Sequence, residues 1–328
     1  MYARRTTVLV TLAVLLVVAS GASLVFGSVD LKLHLVLDTL RGIEVPRGTA
    51  VIVNDLRVPN LVEAIVVGAA LGVAGAVLQG SLGNPLASPD VIGVTAGAGF
   101  GAALILLAFP GSVALLPVGA LVFGLGAALL VFGVAWSGRN RGSVTKVILA
   151  GIAIAALFGA GTTSLLTAYP ERVQSVIFFL AGGLTPDGWR ELEAFWPYFT
   201  AGFVLAIFLI RPLDKLALGD DVAASLGSRP NVTRLVAGLC AALLASAAAA
   251  LVGLLAFLGL VVPHVVRMAG GTSRHSFVIP ASALAGATLL TAGDLLARVV
   301  AKPEVLPVGP FMVVLGVPLF LWLLRRQV

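Results

Sequence analysis

The sequence predicts an all-α polytopic membrane protein with ten transmembrane helices, and three observations lead there. Apolar residues fill 59% of the 328 positions and charged residues 11%, with mean hydropathy +1.09, leaving too little polar surface to coat a water-soluble globule. The apolar residues fall in uncharged runs of span length, broken by turn and charge signals. Basic residues stand singly in those breaks, and their distribution orients the chain. The net charge of +6 is therefore read as membrane orientation, and nucleic acid is not expected as a partner. The single Cys240, in an Ala/Leu run, permits no internal disulfide and reads as a small buried apolar residue.

The first span is the uncharged run from Val8 to Val29, preceded by Arg4 and Arg5; it is long enough to cross roughly 30 Å of hydrocarbon and reads as uncleaved. Residues 30–60 follow as the one long polar loop, extracytoplasmic, with a short surface helix in DLKLHLVLDTLRG. No residue is charged from Ala64 to Pro89, the second span and its turn. In that turn Ser88 suits a helix N-cap, Pro89 the first position, and Asp90 the positive end of the dipole. Phe109 to Ser112 divides the uncharged run Val91–Gly138 into a third and a fourth span. The fifth runs from Val147 to about Thr167, and FFLAGGLTPDGW is read as part of the loop after it. The sixth covers about Ala194 to Ile210, and residues 211–234 form a polar cytosolic segment.

Leu235 to Val266 is long for one span and short for two. Ten spans with both ends cytosolic place 13 of the 21 basic residues inside, among them Arg139 and Arg141, with Arg47 and Asp187 outside. Nine spans would strand Arg325 and Arg326 outside, so ten are expected, the last two at 276–293 and 305–324. Of the 15 acids only Asp90, Asp214, Asp220 and Asp221 then lie inside. No span interior holds a clear Asp, Glu, Lys or Arg, which argues against a proton- or sodium-coupled carrier. There is no phosphate-binding loop, paired carboxylate or metal-ligand cluster, so no catalytic, cofactor or metal site is expected and the chain is not read as an enzyme.

Two stretches are worded more specifically than helix physics requires: GAVLQGSLGNPLASPDVIGVTAGAG at 75–99 and GLLAFLGLVVPHVVR at 253–267. The second is read as an apolar helix ending in Pro263, His264 and Arg267 at the cytosolic face. Both resemble the FecCD or BtuC-like family of ABC importer permeases for ferric chelates, haem and cobalamin. Further matches follow in family order: Arg57-Val58-Pro59, FFLAGGL, LALGDDVAASLG at 216–227, ALAGATLLTAGDLLAR and LPVG. Gly259, Pro263, His264 and Arg267 carry the family's GxxxFxGLVxPHxxR signature, with His264 structural.

The resemblance implies one transmembrane permease domain over 1–328, a second permease subunit that is either a copy or a paralogue, two cytosolic ABC ATPases that use ATP, and an external substrate-binding protein. It makes Leu218, Gly219, Asp220, Asp221, Ala223, Ala224, Ser225 and Gly227 the ATPase coupling segment, with Asp220 or Asp221 capping its short helix and Gly227 ending it. The small residues Ala223, Ala224 and Ser225 are expected to let an ATPase groove close on that helix. A cytosolic gate is implied at Asn84, Pro85 and Leu86 together with Ser143, Val144 and Thr145, where Val144 departs from the family's small polar residues. Arg57 and Arg298 match basic positions that receive acids of the binding protein, while Asn60 stands where a second arginine is common. The implied cargo is a ferric siderophore, with haem or cobalamin as the close alternative. A carrier or channel working without an ATPase is the competing class. The membrane is that of a prokaryotic cell.

Overall fold

The computed structural model describes residues 2–137, 143–184, 189–300, 302, 304 and 306–327, and these form helices and connecting turns with no strand among the described residues. Arg139, Arg141 and Asp187 lie outside them. In chain order the helices are α1 (Tyr2–Val25), α2 (Leu33–Leu40), α3 (Arg47–Val51), α4 (Val58–Leu82), α5 (Val94–Ala108), α6 (Leu116–Ala135) and α7 (Val144–Ala168). They continue as α8 (Val173–Ala181), α9 (Trp189–Leu216), α10 (Asp220–Ser225), α11 (Pro230–Val252), α12 (Leu258–Gly270), α13 (His275–Val300) and α14 (Val308–Gln327). Seven of these, α1, α4, α6, α7, α9, α11 and α13, are long and apolar enough to cross a bilayer, α4 being continued backward through a π-helical stretch at Ile52–Arg57 and α3. Three more, α5, α12 and the stretch of α14 to Leu321, are apolar but shorter.

The bundle is organised around α4, which packs against α13, α11, α12 and α9. Its sequence explains this position, because apolar and small residues surround the helix on every side and leave no face suited to water. Gly68, Gly72 and Gly75 bring it into backbone contact with its neighbours. A Cβ at these positions would stand 2.4 Å from the Gly286 carbonyl oxygen, 2.2 Å from that of Ser282 and 1.8 Å from that of Gly259. Small residues allow such approach where lipid supplies no hydrophobic drive between helices. A second group, α5, α6 and α7, packs together and joins the first through α11. α1 lies on the outside against α13, with most of its side chains exposed.

Several boundaries differ from the sequence expectation. α4 begins at Val58, so Glu63 is buried inside it, and α13 runs through Asp294 and Arg298 to Val300. Asp294 and Arg298 neutralise one another at 2.5 Å, one helical turn apart, which lets the helix carry both in a buried position. Charge-free runs therefore understate these helices, and the expectation of uncharged interiors is corrected by Glu63 and Asp294. α9 is also longer than expected, and FFLAGGL supplies the end of a helix, α8, rather than part of a loop.

The turn after α4 differs as well. Ser88 precedes a 3₁₀ turn at Pro89–Ile92 but makes no side-chain cap, donating instead to Asp90 at 3.3 Å; α5 starts after Gly93, whose φ is +74°. Asp90 also accepts from the Thr95 hydroxyl and lines a small cavity with Leu71, Gly253 and Gly259. Leu71 stands eleven residues before the end of α4, about 16 Å along the axis. Asp90 thus lies alongside α4 well before that helix ends, with its side chain exposed.

Residues 235–266 hold two helices separated by non-helical backbone at 253–257. Gly253 (φ +70°) ends α11 and Phe257 (φ +68°) precedes α12, so the stretch GLLAF is a break and Pro263 lies within α12 rather than at its end. Backbone groups at the break and at the end of α11 pair with neighbouring elements, as apolar surroundings favour. Leu254 N–H donates to Phe179 O at 3.3 Å and Gly183 N–H to Val252 O at 2.8 Å.

Candidate functional site

One end of the bundle gathers the residues expected to form the coupling segment and the gate. It is marked by Arg4, which donates to the Ala269 and Met268 carbonyls at 2.8 and 2.9 Å and so ties the start of α1 to the end of α12. α10 projects from this end between α9 and α11. Gly219, with φ +98°, occupies the N-cap that was expected of Asp220 or Asp221, because only glycine readily adopts that conformation. The two acids fill the first turn, where they meet the positive end of the helix. Gly227, at φ +76°, closes the segment as expected of it, and Lys215 donates to the Leu226 carbonyl at 3.0 Å.

α10 has two distinct sides. Ala223 is fully buried, so it seats the helix on its own chain and is not available to a partner groove, correcting the expectation for that residue. Leu218, Val222 and Leu226, spaced by four, are 60%, 46% and 50% exposed, and Asp221, Ala224 and Ser225 are exposed beside them. Val222 and Leu226 stand one turn apart and Leu218 precedes the Gly219 cap, so together they expose apolar surface with a small, acidic border. Asp220 points the other way, into a bidentate pair with Arg234 of α11 at 2.7 and 2.8 Å. That guanidinium holds the Asp220 carboxyl below the usual carboxylate range.

The turn expected to serve the gate leaves the end of α4 at Gly83 (φ +58°). Asn84 uses its side-chain oxygen to accept from Leu86 N–H at 2.9 Å, and its own N–H donates to Gln79 O at 3.2 Å, giving a compact turn with Pro85 and Leu86 exposed. Ser143 precedes α7, Val144 packs on the core and Thr145 is exposed. α7 meets the segment just beyond the turn, where Gly151 packs on Val91: a Cβ there would stand 1.8 Å from the Val91 oxygen.

The family signature has a direct physical reading in α12. Pro263 lacks an N–H, so the Gly259 carbonyl four residues earlier loses its helical partner. The Gln79 side chain of α4 takes that place, donating to Gly259 O at 3.3 Å and Leu260 O at 3.0 Å, while its oxygen accepts from Arg267. Gly259 itself leaves room for Pro89, whose ring would stand 3.0 Å from a Cβ there. His264 is buried beside this arrangement. Gln79 was missed from sequence because a single uncharged amide in an uncharged helical run carries no periodic signal.

At the opposite end, Arg57, Asn60 and Arg298 meet around a cavity of about 180 Å³, together with Gly27, Leu56 and Leu184. Both arginines are recessed, at 5% and 6% exposure, so they are not the free surface charges the sequence suggested. Arg57 donates to Leu24 O at 2.5 Å and to Val29 O, and Arg298 donates to the Ser23 hydroxyl at 2.5 Å. They close the end of α1 over α4 and α13 while lining the cavity. Lys302 joins Asp30 at 2.7 and 2.9 Å nearby and keeps that carboxyl below its ordinary range. The structure also joins three motifs that sequence left separate. Gly182 of FFLAGGL packs on Leu254, Gly253 packs on Phe179, and Gly309 of LPVG packs on Ala181, their hypothetical Cβ atoms falling 1.9 to 2.3 Å from backbone oxygens. An apolar cavity of about 450 Å³ opens beside this joint, lined by Phe178, Phe179, Gly183, Val252 and Pro307.

Long apolar helices with breaks and irregular backbone packed among them define the class of polytopic membrane proteins. The comparisons specify which. The model of the FecCD transport family matches residues 14–326, and the chain belongs to that family. It is 35% identical to the Fe(3+)-citrate import system permease protein YfmE of Bacillus subtilis, over 96% of this chain and 94% of that one. It is 38% identical to the Fe(3+) dicitrate transport system permease protein FecD of Escherichia coli, covering 84% and 86%. The hemin transport system permease protein HmuU of Yersinia pestis is 37% identical over 83% of each. The fold resembles a solved inward-facing metal-chelate type ABC transporter with a TM-score of 0.85 and 28% identity, covering 98% of this chain and 99% of that one.

Proposed function

We propose that this chain is the permease subunit of an ATP-driven importer that carries a ferric siderophore or a related ferric chelate inward. The observation that carries the reading is α10, whose apolar face stands outside the long helices while its other face is pinned to its own chain. Such a helix fits a groove on a separate cytosolic ATPase, and two ATPases would serve a pair of permease subunits. ATP is then used by that partner, and the permease binds no cofactor itself. Seven long apolar helices and three shorter ones make ten crossings in this reading, with both ends cytosolic. The recessed Arg57 and Arg298, with Asn60 between them, form a basic socket that receives an acidic side chain of an external binding protein. Asn84–Leu86 and Ser143–Thr145 act as the cytosolic gate.

Haem is the second cargo reading, since a hemin permease is among the similar proteins. Co-purification tests the class. A stably bound ATPase, with chelate uptake that requires ATP, supports the importer; substrate flux through the purified chain alone supports a carrier.

A further inference from the structure

We propose that Arg234 is the positioning residue that transmits displacement of α10 to the gate turn, an inference that rests on α10 being the ATPase contact. The consecutive helices α10 and α11 and the sequence-distant end of α4 meet at this one guanidinium. Two of its nitrogens donate to both carboxylate oxygens of Asp220, in the first turn of α10. The third, Nε, donates to the Ser81 carbonyl at 3.2 Å, in the last turn of α4. Arg234 itself belongs to α11, and its side chain is 14% exposed.

Each bond fills a specific need. Ser81 O is among the last carbonyls of α4, which have no partner within the helix and sit at its negative end, so a cation there both caps and stabilises it. The planar fork fits a carboxylate in two places at once, fixing the direction of α10 as well as its distance. Residue 82 ends α4 and the exposed turn at Pro85 and Leu86 follows directly. A shift of α10 by its partner therefore pulls on Arg234, and Arg234 pulls on the last turn of α4 from which the gate turn hangs. Lysine would offer one point charge and lose the simultaneous hold on two elements.

The test uses the assembled importer with its own ATPase in a Cys240→Ser background. Leu86→Cys reports the turn through its labelling rate with a membrane-impermeant maleimide in inverted vesicles, with and without ATP and vanadate. Ala224→Cys reports the α10 contact by crosslinking to the ATPase. With Arg234 in place, nucleotide trapping is expected to change labelling at residue 86 by about fivefold or more. Arg234→Gln should keep the crosslink and ATP hydrolysis yet lose most of that response, with Arg234→Lys falling between. A full response in Arg234→Gln overturns the proposal, because a merely structural arginine would leave nucleotide sensitivity intact. Absence of the residue 224 crosslink with native Arg234 overturns the underlying coupling reading instead. If Arg234→Gln does not reach the membrane, Asp220→Asn decides: the same loss supports transmission, and an unchanged response contradicts it.

Discussion

Gln79 shows how much of this fold depends on single polar groups in apolar surroundings. It supplies the donor that Pro263 denies to the Gly259 carbonyl, donates also to Leu260 O, and accepts from Arg267 in return. Gln79→Leu, close in volume, should leave these buried groups without partners and cost about 1–3 kcal/mol, read as a lower unfolding temperature in detergent. Pro263→Ala restores an N–H that can serve the Gly259 carbonyl, so the double variant should lose less than the sum of the two single losses. An additive pair would contradict the substitution of side chain for backbone. At Asp220 the prediction concerns pH. Its folded pKa is depressed by Arg234, so the pair contributes above the ordinary carboxylate value and is lost as pH falls through the lower, folded one. Attachment of α10, followed by limited proteolysis at 216–230, should be constant from pH 8 to 5 and loosen only below about pH 4. Loosening near pH 6 would point to another group.

At the scale of elements, α10 is the part whose alteration separates function from folding. Ala224 is exposed on its outer side, so Ala224→Arg should leave membrane insertion and protein level normal while abolishing ATP-coupled uptake. Transport at the unmodified rate in both Ala224→Arg and Asp221→Lys would remove α10 from the ATPase contact. The existence of most helices was legible in the sequence, because uncharged runs of about twenty residues have few other uses. Their ends were less legible. Glu63, Asp294 and Arg298 sit within helices, buried, and Asp294 is neutralised by a neighbour one turn away, which no count of charge-free residues can register. The break at 253–257 was hidden because its residues are as apolar as the helices they join, and their hydrogen bonds come from α8 and from Gly183, far off in sequence. The site divided in the same way. α10 and its closing Gly227 were readable from local signals, whereas the inward turn of Ala223 and the recessed setting of Arg57 and Arg298 arise only from packing.

The whole molecule is a bundle with two chemically different ends. Arg4, α10 and the gate turn share one, while Asp30, Lys302 and the basic cavity share the other. Topology follows from this division. Cysteines placed at Ser228 and Gln327 should label from the cytosol and one at Arg47 from outside; external labelling at 327 would contradict ten crossings. The central claim is that the chain moves ferric chelates only when a separate ATPase works on it. Uptake of iron-55-labelled ferric citrate and of a labelled ferric hydroxamate into proteoliposomes tests this most directly, comparing the purified chain with the complex containing its ATPase and binding protein. The account predicts uptake of at least one chelate by the complex, dependent on ATP hydrolysis and abolished by Ala224→Arg, with none through the chain alone. Chelate flux through the chain alone, or uptake by the complex without ATP, would contradict it.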